Sequence, residues 1–235
     1  AIVPGSILTL GLVILHLGPD ARELITILDG AIVSLSVVGL FFAIGHVLLA
    51  FHEHVLLPAL CFLRVSSKFD EKRAERRASF KLFQRAVQAN RKMALGEKDG
   101  EWGFHDLRSV ALTISTSAER LGKRFMFISL LCNGTGTALT LIAADFAFCR
   151  VWAPDLMHAY ANAPNWLLQI LLLLSAATFL FKRAQSFHDR AMTTPFAAAI
   201  ADLFLARRDA QVSLLEHAAK ANRLAGPSFW ESFLG

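Results

Sequence analysis

The chain has 235 residues, of which 54% are hydrophobic and 18% are charged. This composition is too apolar for an ordinary water-soluble domain and predicts an integral membrane protein. The 24 basic residues outnumber the 19 acidic ones, and the three cysteines have neither paired nor metal-binding spacing, which excludes a disulfide-rich secreted protein.

Three apolar segments are long enough to cross a bilayer. A hydrocarbon core of about 30 Å needs roughly 20 helical residues, and residues 31–51 supply such a run without a formal charge. Residues 125–148 predict a second span and residues 165–181 a shorter third. Residues 2–17 are apolar but short, and are either a further span or a helix lying in the interface. The predicted fold class is an all-α integral membrane protein, with three or four transmembrane helices extended into a cytoplasmic helical layer.

The basic residues predict the orientation of these spans. Residues 64–124 contain 15 Lys and Arg against 8 Asp and Glu, and residues 182–235 contain 7 against 5. By the positive-inside rule both segments are expected on the cytoplasmic side, and the bacterial inner membrane is the expected location. No repeat or low-complexity linker divides the chain, which predicts a single membrane domain over residues 1–235.

Both cytoplasmic segments carry helical patterns. From Asp106 onward, apolar residues recur at intervals of three and four, which predicts one helix running into the second span. Before it, residues 68–95 are helical in composition, with Phe80 and Phe83 on one stripe. The glycine-rich GEKDGEWG stretch predicts the turn between these helices. After the third span a further amphipathic helix is expected to begin near Pro195, because proline suits the first turn of a helix. Its apolar positions are Phe196, Ile200, Leu203, Phe204, Leu214, Leu215 and Ala218.

A group of histidines lies at the inner end of the first span. His46, His52 and His54 occur with Glu53 within nine residues, and histidine with carboxylate is a ligand set of zinc and iron sites. Such a site needs further ligands, and a b-type haem needs histidines that face each other from different spans. Interfacial side chains that reach solvent are the favoured alternative, and no cofactor is expected.

Small and hydroxylated residues cluster near the middle of the second span. In a bilayer, small residues let helices approach closely, while Asn and Thr hydrogen-bond across an interface for about 1 kcal/mol each. This pattern favours helix packing, within the chain or between copies. The alternative is a polar stripe that lines a hydrated pore in an oligomer. The candidates are Asn133, Gly134, Thr135, Gly136, Thr137 and Thr140, with Ser175 and Thr178 of the third span as facing partners.

The outer end of the second span carries an acid. Asp145 lies about one turn from the expected surface, where a helix end reaches water, and it is interpreted as a boundary residue. Trp152 fits the aromatic belt at that surface, and Pro154 helps to end the helix.

The first cytoplasmic segment offers a basic surface. Arg73, Arg76, Arg77, Lys81 and Arg85 are candidates for contact with anionic lipid or an acidic partner, with a solvated helix face as the default. Acids are interleaved and no aromatic-basic pattern appears, so nucleic acid is not expected. The sequence contains no phosphate loop, nucleophile elbow, HExxH or redox CxxC, which favours a non-enzymatic role.

The order of parts resembles the proton-channel stators of the MotA, TolQ and ExbB group. A span, a large inner segment, a hairpin of two spans and an inner tail follow one another, and "GTGTALTLI" is similar to the small-residue and threonine pattern of that group. The prolines that the group carries around those spans are missing. The resemblance implies a pentameric channel with Thr135, Thr137 and Thr178 near the pore, and a partner that carries a protonatable aspartate.

The leading functional hypothesis is a non-enzymatic integral membrane subunit of a larger complex, of the secretion, transfer or energy-transducing type. It would contribute helix-packing surfaces and a cytoplasmic docking layer. Its expected partners are membrane lipid and other membrane subunits, in a homo- or hetero-oligomer. The alternatives are an ion-conducting homo-oligomeric channel and a metal or haem enzyme that uses the histidine cluster.

Overall fold

A computed structural model describes residues 1–20, 31–95, 102–160 and 164–224. Within these ranges every regular element is a helix, which confirms the all-α prediction there. Most of the predicted GEKDGEWG turn lies outside the described residues, as do residues 225–235 and the side chains of Leu214, Leu215 and Ala218.

The described residues form eight α-helices, joined in places by tighter or wider turns. Their bounds are Ile2–Leu17 (α1), Ala31–Phe51 (α2), Leu57–Phe62 (α3), Glu71–Glu75 (α4), Ala78–Leu95 (α5), Phe104–Ile114 (α6), Thr116–Trp152 (α7) and Trp166–Leu224 (α8). A π-helical turn at His52–Leu56 joins α2 to α3, and 3₁₀ turns lie at Gly18–Asp20 and Pro154–Tyr160.

Three helical stretches are long and apolar enough to cross a membrane. They are Ser34–Phe62, Thr116–Trp152 and Trp166–Ala206, and each overlaps one of the predicted spans. Length and composition therefore support the assignment as a membrane protein. Ile2–Leu17 is a shorter apolar helix of 16 residues, for which spanning or interfacial placement stays a prediction.

The helix predicted to begin near Pro195 does not begin there. Helix α8 is continuous from Trp166 to Leu224, with Pro195 in its interior. A proline removes one helical hydrogen bond and crowds the preceding turn, but here its surroundings compensate. Pro195 is fully buried and Phe196 is 1% exposed, so packing on this turn holds the helix together.

The helix predicted to run from Asp106 into the second span is interrupted. Helix α6 ends at Ile114, and Ser115 has an extended backbone with φ −132° and ψ 114°. The Ser115 hydroxyl oxygen accepts a hydrogen bond from the Ala118 backbone N–H at 3.0 Å, which makes Ser115 the N-cap of α7. The apolar period continues through this break, which explains why the pattern suggested one helix.

The chain divides into two compact units, and α7 and α8 contribute to both. Unit 1 comprises residues 1–69 and 123–191, and unit 2 comprises residues 70–122 and 192–235. The sequence predicts a single membrane domain over residues 1–235, and the division into compact units does not test this prediction.

Unit 2 is built around phenylalanine rings. Phe196 lies edge-on to Phe80 and Phe104, with ring centroids 5.1 and 5.3 Å apart, and Phe83 is completely buried beside it. Edge-to-face aromatic pairs add about 0.5–1.5 kcal/mol to their burial. The predicted stripe of Phe80 and Phe83 therefore forms part of this core. The same unit contains a polar contact, in which Asp202 accepts hydrogen bonds from the hydroxyls of Ser115 and Ser117 at 2.5 and 2.6 Å.

Unit 1 places α1 directly against α2 and α7. At the closest point, a Cβ added to Gly5 would lie 1.9 Å from the Phe41 carbonyl oxygen, so only glycine allows this approach. A second contact is the apolar cluster of Leu15, Ala143, Phe146, Cys149, Met157 and Ile170. Helix α1 is therefore an integral part of unit 1, and this fixes the position of His16 near its end.

Candidate functional site

Unit 1 contains a cavity of about 360 Å³ between the π-helical turn, the segment that follows α3, and helices α7 and α8. The polar groups that line it include His52, Glu53, Asn133, Gln185, His188 and Asp189. Leu49, Leu57, Met126, Leu130 and Phe181 form an apolar part of the same lining. The cavity thus brings polar and apolar surface together inside a bundle of candidate membrane spans.

The π-helical turn presents His52 to this cavity. The Leu57 N–H donates to the His52 carbonyl, one residue further back than in an α-helix. Pro58, which follows, has no N–H, and its ring would crowd the carbonyl of His54 in a regular helix. A π turn relieves this conflict. As a result His52 is buried, while His54 on the same turn is exposed.

His52 is fixed by two contacts. Its ring stacks on Phe181 with centroids 5.3 Å apart, and its Nδ1 lies 3.2 Å from the Thr137 hydroxyl oxygen. The Thr137 hydroxyl donates its proton to the Asn133 carbonyl at 2.8 Å. With the Thr137 proton in the bond to Asn133, the tautomer consistent with both contacts has Nδ1 of His52 as the donor to Thr137. In this tautomer, Nε2 of a neutral His52 can accept a hydrogen bond.

Asn133 is a half-buried polar residue of the lining. It lies near the middle of a candidate span, and its side-chain amide makes no hydrogen bond to any residue that the structure describes. An amide in a bilayer is normally paired, because lipid tails offer it no partner. Water or a ligand in the cavity would supply those partners.

Other members of the predicted stripe meet residues of the same chain. A Cβ on Gly134 would lie 2.6 Å from the Pro4 ring, and one on Gly136 would lie 2.8 Å from the Phe181 ring. Thr137 is completely buried. The remaining residues of the stripe are half-buried, and the Thr140 hydroxyl donates to the Gly136 carbonyl.

The expected partners of the stripe on α8 lie elsewhere on that helix. Ser175 is exposed, and the hydroxyl of the half-buried Thr178 donates to the Leu174 carbonyl of its own helix. Within the described residues neither bonds to the stripe. Ala177 and Phe181 are the buried α8 residues of this region, and they form an apolar cluster with Leu60.

The histidine cluster is not brought together. His46 and His54 are exposed, as is Glu53, whereas His52 is turned into unit 1. In the part of the chain that the structure describes, these residues do not form a group with metal-ligand spacing.

The five candidate basic residues of unit 2 are all exposed, and one of them also makes a contact within the unit. Arg73, Arg76, Lys81 and Arg85 are exposed. Arg77 is also exposed, but its guanidinium donates to the Thr193 hydroxyl at 2.8 Å and so contributes to packing within unit 2. Contact with lipid or a partner stays a prediction for all five.

A second cluster of polar side chains in unit 1, formed by His16, Asp145 and Cys149, was not predicted. His16 Nε2 lies 2.7 Å from Asp145 Oδ2, and the Cys149 thiol donates to Asp145 Oδ1 at 3.9 Å. Asp145 and Cys149 are four residues apart and share a face of α7, and this spacing was the only available signal. The interpretation of Asp145 as a boundary residue omits its pairing with His16, which depends on the packing of α1.

No family model, curated protein or solved structure matches this chain. The cavity that Asn133 lines and the cluster of His16, Asp145 and Cys149 are the two features of unit 1 that suggest a function.

Proposed function

We propose that this chain is a non-enzymatic integral membrane protein that binds a membrane lipid head group in the cavity of unit 1. The observation that carries the proposal is Asn133, a mid-span amide that lines the cavity and has no hydrogen-bond partner in the described chain. Asn and Thr inside a membrane bundle usually hydrogen-bond to a neighbouring helix, so an amide that lines a cavity without such a bond is available to a ligand.

The size of the cavity suits a part of a lipid. At about 360 Å³ it falls in the range of small-molecule pockets, about 300–1,000 Å³. That volume accepts a head group with the first atoms of its chains. The remainder of the acyl chains would lie along the exposed apolar surface of the spans, which begins at Leu130 of the cavity lining.

The charges of the lining favour a head group with a positive charge. Glu53 and Asp189 supply two carboxylates, against one ammonium from Lys68. Asn133 and Gln185 add amides that both donate and accept hydrogen bonds. A zwitterionic amine head group matches this mixture, because its ammonium meets the carboxylates and its phosphate meets Lys68 and the amide donors.

Membership of a larger complex is part of the same proposal. Helix α8 has 59 residues, nearly three times the roughly 20 that cross the hydrocarbon core of a bilayer. Most of it therefore lies outside that core, where it offers surface to other subunits. The stator-like channel receives less support, because Thr137 and Gly136 are buried by contacts within one chain.

The proposal is tested by binding of a fluorescent phosphatidylethanolamine to the purified protein in mild detergent. Asn133→Phe fills the cavity and removes the amide, and we expect at least a tenfold loss of affinity. Ser175→Phe adds the same ring at an exposed position of α8 and serves as the control. Equal affinity of the two variants, at wild-type level, would contradict the proposal. A fluorescent phosphatidylglycerol separates head-group selection from general lipid adsorption, which would bind both lipids alike.

A further inference from the structure

The geometry points to a Zn²⁺ site formed by His16, Asp145 and Cys149, separate from the cavity. One ligand atom from each residue lies within 4.8 Å of the other two. Imidazole nitrogen, carboxylate oxygen and thiolate sulfur are the three ligand types that zinc accepts. The site joins two elements, since His16 belongs to α1 and the other two residues belong to α7.

The orientation of His16 is that of a metal ligand. Its Nδ1 lies 3.0 Å from the Leu156 carbonyl oxygen, to which only an N–H can donate. Metal-bound histidines almost always donate their second ring N–H in this way, which fixes the tautomer and leaves the other nitrogen for the metal. Here the nitrogen left is Nε2, the atom that faces Asp145.

The ligand distances must change in both directions to accept the ion. With zinc bonds of about 2.0–2.1 Å to nitrogen and oxygen, tetrahedral ligands lie about 3.3 Å apart. The His16 Nε2 to Asp145 Oδ2 distance of 2.7 Å would open by roughly 0.6 Å as Zn²⁺ displaces the proton between them to solvent. The Cys149 sulfur, 3.9 Å from Asp145 Oδ1, would move closer to its neighbours. Cys149 would release its thiol proton to solvent and bind as thiolate.

Burial and charge also fit a metal. Cys149 is 2% exposed, while the side chains of His16 and Asp145 are 33% and 31% exposed, so the ion has a route from solvent. One carboxylate and one thiolate neutralise Zn²⁺, which limits the cost of burying the charge. Three protein ligands leave a fourth position for water, as in zinc sites that bind exchangeable ligands.

The test is Co²⁺ binding to the 235-residue chain in detergent, followed by competition with Zn²⁺. We expect one Co²⁺ per chain, with a thiolate-to-metal absorption band, displaced by Zn²⁺. Cys149→Ser should abolish the band, and His16→Ala and Asp145→Asn should each weaken binding at least tenfold. Cys132→Ser and His46→Ala remove the same side-chain types elsewhere and should bind like wild type.

Three results would contradict the zinc site. Absence of stoichiometric Co²⁺ binding to the folded wild type would show a His16–Asp145 hydrogen bond only, and would overturn the proposal. So would a thiolate band that persists in Cys149→Ser or vanishes in Cys132→Ser. Because Cys149 is buried, each variant is first compared with wild type by circular dichroism, and the nearly isosteric Asp145→Asn carries the test if Cys149→Ser does not fold.

Discussion

Replacing Gly5 with alanine tests the packing of α1 against α2. A Cβ at this position would lie 1.9 Å from the Phe41 carbonyl oxygen, whereas a carbon-to-oxygen contact is normally at least about 3.3 Å. The two backbones must therefore separate locally by about 1.4 Å. Overpacking of a tight interior costs about 1–3 kcal/mol, and the clash with backbone atoms places Gly5→Ala at the upper end.

The matched control is Gly39→Ala on α2. A Cβ there meets nothing within 4 Å, so this variant changes only backbone entropy, which alone favours alanine over glycine in a helix by about 0.5–1 kcal/mol. The free energy of unfolding is measured by titrating the detergent-solubilised protein with a denaturing detergent and following helicity. We expect Gly5→Ala to unfold more easily than wild type and Gly39→Ala to be unchanged or more stable. Equal stability of the two variants would refute the close approach of α1 and α2.

Two further predictions follow from named contacts, and a third follows from the distribution of basic residues. Thr137→Val removes the hydroxyl that joins His52 to the Asn133 carbonyl and should lower the free energy of unfolding by about 1–2 kcal/mol. Thr178→Val loses only a bond within its own helix and should leave the free energy of unfolding unchanged. Equal effects of the two variants would contradict the role of Thr137. Ser115→Ala removes the N-cap of α7 and a donor to Asp202 and should cost about 1 kcal/mol or more in thermal unfolding, against no change for the exposed Ser109→Ala. The predicted orientation is tested by labelling Arg85→Cys and Asp155→Cys with an impermeant maleimide, with the labelling of the native cysteines subtracted. Arg85→Cys should react only in opened cells, and Asp155→Cys should react already in intact cells. The reverse pattern would contradict the predicted orientation.

Hydropathy was sufficient to locate the candidate spans. Bilayer thickness requires an apolar run of fixed length, and residues 31–51 show it without knowledge of any neighbour. The ends of the helices in unit 2 could not be predicted from the sequence pattern. Ser115 interrupts the helix through its own side-chain cap, and Pro195 is accommodated by burial in the phenylalanine core of unit 2. Both outcomes depend on tertiary contacts that override the local pattern.

The candidate sites were likewise only partly predictable from the sequence. Asn133 and Thr137 were identified because polar residues are unusual in the middle of a span. Their separate environments, one lining a cavity and one completely buried, depend on the rotation of α7. Asp145 and His16 are 129 residues apart in sequence, and no local pattern in either segment indicates that they meet. The π turn that buries His52 likewise combines a local cause, Pro58, with a contact to Phe181.

We propose that the Asn133-lined cavity holds a lipid head group, and native mass spectrometry of the unmodified protein tests this proposal. Protein purified in mild detergent and released in the gas phase should carry one retained lipid per chain, of an amine-containing class, and Asn133→Phe should lose it while Ser175→Phe keeps it. A wild-type chain that appears only at its bare mass under conditions that preserve its fold would contradict the claim.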